Sequence, residues 1–149
     1  MSLLHRIDSE LKSAMKASDT LKVSVLRMLK ASLKNKRIDT GKELSDDDIV
    51  SVLSTAAKQR KESFEQFSKG GRADLSDKEA AELIIIQSYL PEQLAPAELD
   101  RIIVEAINET AADGKKDIGK IMRIVMSRVK GTAEGKIVNQ RVKDLMEKA

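Results

Sequence analysis

The sequence predicts an all-α protein, with an N-terminal bundle of about four helices and a small C-terminal three-helix domain. Apolar residues recur at three- and four-residue spacing along most of the 149 residues, and no alternating stretch typical of a strand occurs. Aromatic residues make up only 2% of the chain, so the core must consist of aliphatic residues and methionine, which suits helix packing. Both prolines fall between Tyr89 and Pro96, where Pro91 ends one helix and Pro96 fits the first turn of the next. We therefore expect two domains, at residues 1–92 and 93–149.

Four helices are predicted before this bend. Each has apolar residues at helical spacing on one side, and the second, third and fourth begin near a residue that can cap the first turn. The first ends near Ser18, a loop from Ile38 to Leu44 follows the second, and the third ends at Gly70-Gly71. The capping residues of the second, third and fourth helices are predicted to be Asp19, Ser45 and Ser76.

The fourth helix contains the most apolar segment of the chain, residues 83–86, with one leucine and three isoleucines in a row. Four consecutive apolar residues cover most of a helix circumference, so this segment is expected to be buried at the centre of the N-terminal domain. A buried strand is the alternative for so short a run, but the capping box before it favours a helix. On the third helix, Phe64 and Phe67 are expected to face inward.

Three more helices are predicted after the bend. The fifth stops at Asp113-Gly114, Asp117 caps the sixth, and a glycine-flanked turn at residues 131–135 precedes the seventh. The sixth has the clearest apolar stripe in the protein. Its cations are predicted to be exposed on the face opposite Ile118, Met122, Val125 and Val129.

Few residues in the sequence suggest catalysis. The chain has no cysteine, which excludes a disulfide, a thiolate zinc site and a cysteine nucleophile, and its one histidine, His5, falls on a polar helix side. Glu43 and the acids at 46–48 could gather around magnesium, but acids at a helix start are favoured by the helix dipole alone, and we prefer that explanation. We predict no catalytic residue, metal or cofactor. Without a signal-like or membrane-spanning segment, the expected location is the cytoplasm, with no membrane partner.

Basic residues concentrate in two places, although the net charge is only +3. Each concentration is nearly free of acids, which favours a polyanionic partner over the alternative of a solvated helix face. The first set lies on the second predicted helix, α2, which is expected to run from the Asp19 cap to about Arg37. It comprises Arg27, Lys30, Lys34 and Arg37 and is here called the α2 ridge. The C-terminal cations comprise Lys120, Arg123, Lys130 and Lys136. Both sets are candidate RNA-binding residues.

One arginine projects in the same direction as an apolar stripe. Arg60 shares its side of the third helix with Leu53 and Phe64, and a buried guanidinium without a partner would be costly. We expect it to pair with a carboxylate of the 74–82 region, Glu82 being the first choice, and to serve as a structural polar anchor. On this expectation, Arg60→Met should cost less stability than Glu82→Ala.

Several short segments together resemble the GatB/YqeY family. They occur in order over the whole chain: Lys58-Gln59-Arg60-Lys61-Glu62-Ser63, Gly70-Gly71-Arg72-Ala73-Asp74-Leu75, Glu82, Tyr89-Leu90-Pro91, Gly119-Lys120-Ile121-Met122, Gly131 and Gly135-Lys136. The resemblance implies a larger N-terminal helical bundle joined to a small three-helix domain. This sequence departs from the family pattern at Thr132 and Glu134, where the family often has Arg and Asp.

The family is similar to the C-terminal tail of the GatB subunit of glutamine-dependent aminoacyl-tRNA amidotransferases, which are carbon-nitrogen ligases with glutamine as amido donor. The resemblance therefore implies a tRNA-binding accessory protein without its own active site. Its expected partners are tRNA and an aminoacyl-tRNA amidotransferase or synthetase. The alternative is an all-helical protein-protein interaction module with no nucleic-acid role.

Overall fold

The computed structural model describes residues 2–112 and 117–148, except for the side chain of Ala112. Within these ranges the protein is all-α, as predicted, and divides into two compact units, Met1–Leu90 and Pro91–Ala149. The N-terminal unit contains four helices and the C-terminal unit three among the described residues. They are α1 Leu3–Lys16, α2 Thr20–Thr40, α3 Asp46–Lys69, α4 Ala73–Gln87, α5 Pro96–Ala112, α6 Ile118–Val129 and α7 Gly135–Lys148.

Side chains cap several helix starts, as the sequence predicted for Asp19, Ser45 and Asp117. At α3, the Asp48 amide donates to Ser45 Oγ at 3.1 Å, and the Ser45 amide donates to Asp48 Oδ2 at 2.9 Å. The hydrogen bond from the Ser45 backbone lowers the pKa of Asp48. Asp46 accepts a hydrogen bond from the Leu3 amide at 3.3 Å. Of the three acids in the first turn of α3, Asp46–Asp48, the first and the last therefore form structural hydrogen bonds.

Helix α2 continues to Thr40, beyond the end predicted near Arg37. Gly41 ends it with a φ of 70°, a left-handed conformation that glycine adopts without steric cost, and its amide donates to the Arg37 carbonyl. The predicted loop from Ile38 to Leu44 is therefore shorter in the structure, beginning after Thr40.

Helix α4 begins earlier than predicted, at Ala73 and not near Ser76. Gly71 has a φ of 72°, and the Arg72 amide donates to the Phe67 carbonyl at 2.9 Å, so the chain reverses immediately after α3. Ser76 lies buried inside α4 and donates to the Ala73 carbonyl. The helix also ends at Gln87, before the residue at which Pro91 would force it to stop.

The core of the N-terminal unit is formed by one buried stripe from each helix. Its fully enclosed side chains come from α1, α2, α3 and the end of α4; the larger ones are Ile7, Leu26, Leu29, Ile49, Leu53 and Ile86. Phe64 lies on the same side of α3 as Leu53, but it is exposed, and Phe67 is half-buried. The prediction that both phenylalanines face the core is therefore wrong for Phe64.

The prediction that residues 83–86 are buried at the centre of the N-terminal unit is wrong for Ile84. Only Ile86 is fully buried, Leu83 and Ile85 are half-buried, and Ile84 is 68% exposed. Glu82, one position before the run, is buried instead. The reason is that α4 packs with one side against the bundle, so a helix with apolar residues all round still leaves one of them in water.

We expect Ile84→Gln to change the free energy of unfolding by less than about 0.5 kcal/mol, because its side chain is already in water. Ile86→Ala, two positions along the same helix, should cost about 3 kcal/mol through lost burial and a cavity. Urea unfolding followed by circular dichroism measures both. Similar costs for the two variants would contradict the packing of α4 described above.

The C-terminal unit has a core of its own. Its buried side chains are Leu99, Ile103, Ala106, Ile107, Ile121, Val125, Val129, Val138 and Val142, drawn from all three helices. The stop predicted for the fifth helix at Asp113-Gly114 lies outside the described residues. None of the helices in the described ranges combines the length and the apolar character needed to cross a membrane.

Candidate functional site

Arg60 lies between α3 and α4 and faces two carboxylates. Its Nε is 3.2 Å from Glu82 Oε2, and its Nη1 is 3.6 Å from Glu79 Oε2. The Nη2 atom of the same guanidinium contacts the sulfur of Met28 on α2. The three charged side chains are mostly buried, and neither Arg60 Nε nor Glu79 Oε2 has a well-aligned hydrogen bond. This cluster connects α2, α3 and α4. It contains two carboxylates and one guanidinium.

Tyr89 is packed against α1. Only 4% of it is exposed, and the Arg6 guanidinium lies 4.7 Å from the centre of its ring. Arg6 also donates to the Ser88 carbonyl at 3.1 Å and pairs with Glu10 at 3.2 Å. Burial first, and then the adjacent Glu10 carboxylate, raise the pKa of the Tyr89 phenol. Arg6 thus fixes the segment that leads into the bend, and no local sequence signal predicts this contact, because Arg6 and Ser88 are 82 residues apart.

All four residues of the α2 ridge are exposed, but two of them form ion pairs with acids of this chain. Lys30 pairs with Asp8 of α1 at 2.8 Å, and Arg37 pairs with Glu43 at 2.9 Å. Arg27 and Lys34 have no ion-pair partner in the described part of the N-terminal unit. Half of the predicted ridge is therefore neutralised by acids that lie outside α2.

The C-terminal cations are exposed as well. Lys120, Arg123 and Lys130 belong to α6 and its C-cap, and Lys136 lies in the first turn of α7. Lys120 and Lys130 each take part in a hydrogen bond, ion pair or electrostatic interaction. Arg123 and Lys136, by contrast, form no ion pair with an Asp or Glu among the described residues. They are the candidate residues available for an external anion.

Apolar side chains lie beside these cations. Ile118, Met122 and Met126, here called the α6 face, follow one another at four-residue spacing along α6. Ile118 is 41% exposed, Met126 is 37% exposed and Met122 is half-buried. The prediction that Ile118 and Met122 point inward with Val125 and Val129 is therefore wrong for Ile118. Neighbouring helices cover the centre of the α6 stripe and leave this edge open.

The glycine-flanked turn before α7 has a structural role. The Gln93 side chain donates to the Gly131 carbonyl at 2.9 Å, and the Leu94 amide donates to the Thr132 carbonyl at 2.7 Å. Gly131 has a φ of 79°, which glycine adopts without strain. The segment after the bend is thus fastened to the turn by its backbone carbonyls, whatever side chains occupy positions 132 and 134.

Two of the arginines in the C-terminal unit are held by acids. Arg141 of α7 makes a two-pronged pair with Asp100 of α5, at 2.9 and 2.8 Å, and this hydrogen bonding raises the pKa of Arg141. Arg128 donates from Nη2 alone to both carboxylate oxygens of Glu109, at 2.8 and 2.7 Å. Ion pairs between α7 and α5, or between α6 and α5, leave no local signal in the sequence, which shows both arginines only as basic residues.

Comparison with protein-family models places these features in a known family. The model of the Yqey-like protein matches residues 4–146, which is nearly the whole chain. The chain belongs to the YqeY family. The resemblance inferred from the sequence motifs is therefore confirmed. In this YqeY-like chain, the motif residues Arg60 and Glu82 meet in the cluster between α3 and α4, and Met122 and Gly135 both lie at the α6 face.

Several fungal proteins are similar to this chain. A protein of Pyrenophora tritici-repentis is 27% identical over 147 residues, covering 97% of this chain and 81% of its own length. One from Lachancea thermotolerans is 36% identical over 106 residues, covering 69% and 57%. One from Saccharomyces cerevisiae is 31% identical over 122 residues, covering 78% and 66%. All three are called "Altered inheritance of mitochondria protein 41, mitochondrial".

These names correct two predictions. They refer to the inheritance of mitochondria and not to tRNA or to amide transfer, so the predicted function as a tRNA-binding amidotransferase accessory protein is wrong. They do not describe the alternative, a helical interaction module, either. The relatives are mitochondrial, which overturns the predicted cytoplasmic location. Motif order identified the family, whereas the charge clusters did not indicate the role that the names of these relatives describe.

Proposed function

We propose that this YqeY-like protein is a partner-binding protein that acts in the inheritance of mitochondria, and that its C-terminal unit supplies the binding surface. The observation that carries the proposal is the pairing of exposed apolar side chains on the α6 face with the exposed cations Arg123 and Lys136. Several exposed apolar side chains in one row, with exposed cations on the same helix and at the start of the next, match the apolar centre and polar rim of a binding surface.

The relatives support the biological part of this proposal. The match to the Pyrenophora tritici-repentis protein extends over 97% of this chain, so it includes the C-terminal unit. The Lachancea thermotolerans and Saccharomyces cerevisiae proteins are longer than the matched segment, which spans 57% and 66% of them. The matched segment is what this chain shares with them, so the proposal assigns the shared role to surfaces within that segment.

The test is complementation in Saccharomyces cerevisiae lacking its own relative. The chain is expressed behind a mitochondrial leader, and the fraction of daughter cells that inherit labelled mitochondria is counted. We expect the parent chain to restore inheritance and the double variant Arg123→Glu, Lys136→Glu to fail. Lys58→Glu, an exposed charge reversal on α3, is the control and should restore inheritance as the parent does.

Two outcomes would reject the proposal. If the parent chain accumulates in mitochondria and inheritance is still not restored, the role in inheritance does not extend to this chain. If the parent and the double variant restore inheritance equally well, the cations are not part of the binding surface. Circular dichroism of the purified variants checks that all of them fold.

A further inference from the structure

We propose that the α6 face binds an amphipathic helix of a partner protein, with acidic residues of that helix meeting Arg123 and Lys136. This inference rests on the proposed function and specifies the chemistry of the partner. Ile118, Met122 and Met126 form a single row along α6 that spans roughly 12 Å, at about 1.5 Å per residue. This length corresponds to two to three turns of a partner helix, which presents its own apolar residues at the same spacing.

Charge argues for acids on the partner. Arg123 lies three residues before Met126 on α6, so the two side chains are neighbours on the helix surface. Lys136 follows Gly135 in the first turn of α7, and Gly135 is itself next to Met126. The apolar row therefore has one cation beside it on α6 and a second at the residue after Gly135, and neither has an acidic partner within the described residues. A basic or neutral helix would leave them desolvated without a partner.

Gly135 supports a close approach of the partner. It is exposed and has no positive φ, so the backbone conformation does not require glycine here. A Cβ at this position would meet only the Cε of Met126, at 3.8 Å, which is an ordinary contact. The fold would thus accept a side chain at residue 135. Its absence leaves the α7 backbone bare beside Met126, where another helix can pack closely.

Methionine suits such a surface. Its flexible, polarisable side chain adapts to the shape of a partner, and methionine-rich grooves are a known way to bind amphipathic helices. Met122 and Met126 both belong to the α6 face. An anionic membrane is the less favoured occupant, because the exposed row has no aromatic residue to anchor it in the interface.

The probe is a synthetic 18-residue peptide, labelled with a fluorophore, that carries leucine at three- and four-residue spacing and glutamate on both flanks. Its anisotropy is measured with the full chain at low and at physiological salt. We expect saturable binding, and at least about tenfold weaker binding of a scrambled peptide with the same composition, because only the first presents one apolar face when helical. Equal binding of both peptides would show attraction by charge alone and overturn the proposal.

Three variants locate the site. Met126→Gln and Gly135→Leu should each weaken binding about tenfold, the first by removing an apolar contact and the second by blocking close approach. Arg123→Glu should weaken binding similarly and should recover with a peptide whose glutamates are replaced by lysines. Ile84→Gln and Lys58→Glu, an apolar and a charged change on the N-terminal unit, are the controls and should leave binding unchanged. Loss of binding in the controls, or none in the three variants, would place the site elsewhere.

Other occupants are separate outcomes. Vesicles of phosphatidylglycerol and phosphatidylcholine, and a folded RNA, are offered to the same variants. If either binds through Met126 and Arg123 while the peptide does not, the partner is not an acidic helix. Failure of the peptide with successful complementation in yeast would reject only this inference. Failure of complementation with binding of the peptide would reject the role in inheritance and keep the surface.

Discussion

Replacing Tyr89 with alanine is expected to destabilise the N-terminal unit by about 4 kcal/mol, because a buried aromatic ring is lost from the core. The cation–π contact with Arg6, at 4.7 Å from the ring centre, is lost with it and adds about 1 kcal/mol at most. Tyr89→Phe keeps the ring and this contact. It should change the free energy of unfolding by less than about 1 kcal/mol, because the Tyr89 hydroxyl has no well-aligned hydrogen bond.

The same residue gives the unfolding a pH dependence. The folded protein holds the pKa of Tyr89 above its ordinary value of 10.0, mainly by burial. A raised folded pKa means that the contribution to stability is complete below pH 10 and is lost as the pH rises further, because the unfolded chain releases the proton first. The parent should therefore lose stability above pH 10 more steeply than Tyr89→Phe does.

Urea unfolding by circular dichroism at pH 7 and above pH 10 measures these effects, and hydrogen exchange assigns them to the N-terminal unit. The phenylalanine variant is the control for lysines, which titrate in the same range in both proteins. Identical pH profiles would show that the Tyr89 hydroxyl reaches water in the folded protein. A loss of stability in Tyr89→Phe as large as that in Tyr89→Ala would instead mean that the hydroxyl, and not the ring, holds this segment.

Arg60→Met is expected to cost about 3 kcal/mol, since it leaves two mostly buried carboxylates without their cation. Glu82→Ala should cost less, because Arg60 keeps Glu79 at 3.6 Å as a partner. This order is the reverse of the one expected from the sequence, where Glu82 was the first-choice partner and Glu79 did not enter the comparison. The second carboxylate reverses the expected order of the two costs, because removing the arginine leaves two like charges near each other without a cation between them.

Urea unfolding of the two variants gives the order directly. The variant that combines Arg60→Met with Glu79→Gln and Glu82→Gln is the control. It should recover part of the lost stability, because neutral amides cost less to bury than unpaired charges. Small and equal losses in all variants would mean that water reaches the cluster and screens it. No recovery in the combined variant would indicate that Arg60 acts through packing against Met28 and not through its charge.

The sequence predicted the helices well because their signals are local. Asp19, Ser45 and Asp117 form hydrogen bonds within one helical turn, and Pro96 sits in the first turn of α5, so each boundary depends on a few adjacent residues. The start of α4 was misplaced for a related reason. Ser76 and Glu79 have capping-box spacing, but Gly71 had already reversed the chain and allowed the helix to begin at Ala73.

The candidate site was only partly predictable. Exposure of Arg123 and Lys136 followed from helical spacing, whereas the loss of Lys30, Arg37, Arg128 and Arg141 to ion pairs depends on acids brought close by folding. The α6 face was missed because periodicity shows which side of a helix is apolar and not how much of that side its neighbours cover. Motif order identified the family, but the charge pattern suggested a polyanionic partner without specifying one.

By itself, the sequence determined the helical class, most helix boundaries and the membership of the YqeY family, because caps, prolines and apolar spacing act over a few residues and motifs keep their order along the chain. Tertiary structure decided which apolar residues remain in water. Ile86 is enclosed while Ile84 is exposed, and Val125 is enclosed while Met126 is exposed. In each pair both residues are apolar and near neighbours in sequence, so burial depends on where the other helices of the same unit pack against them.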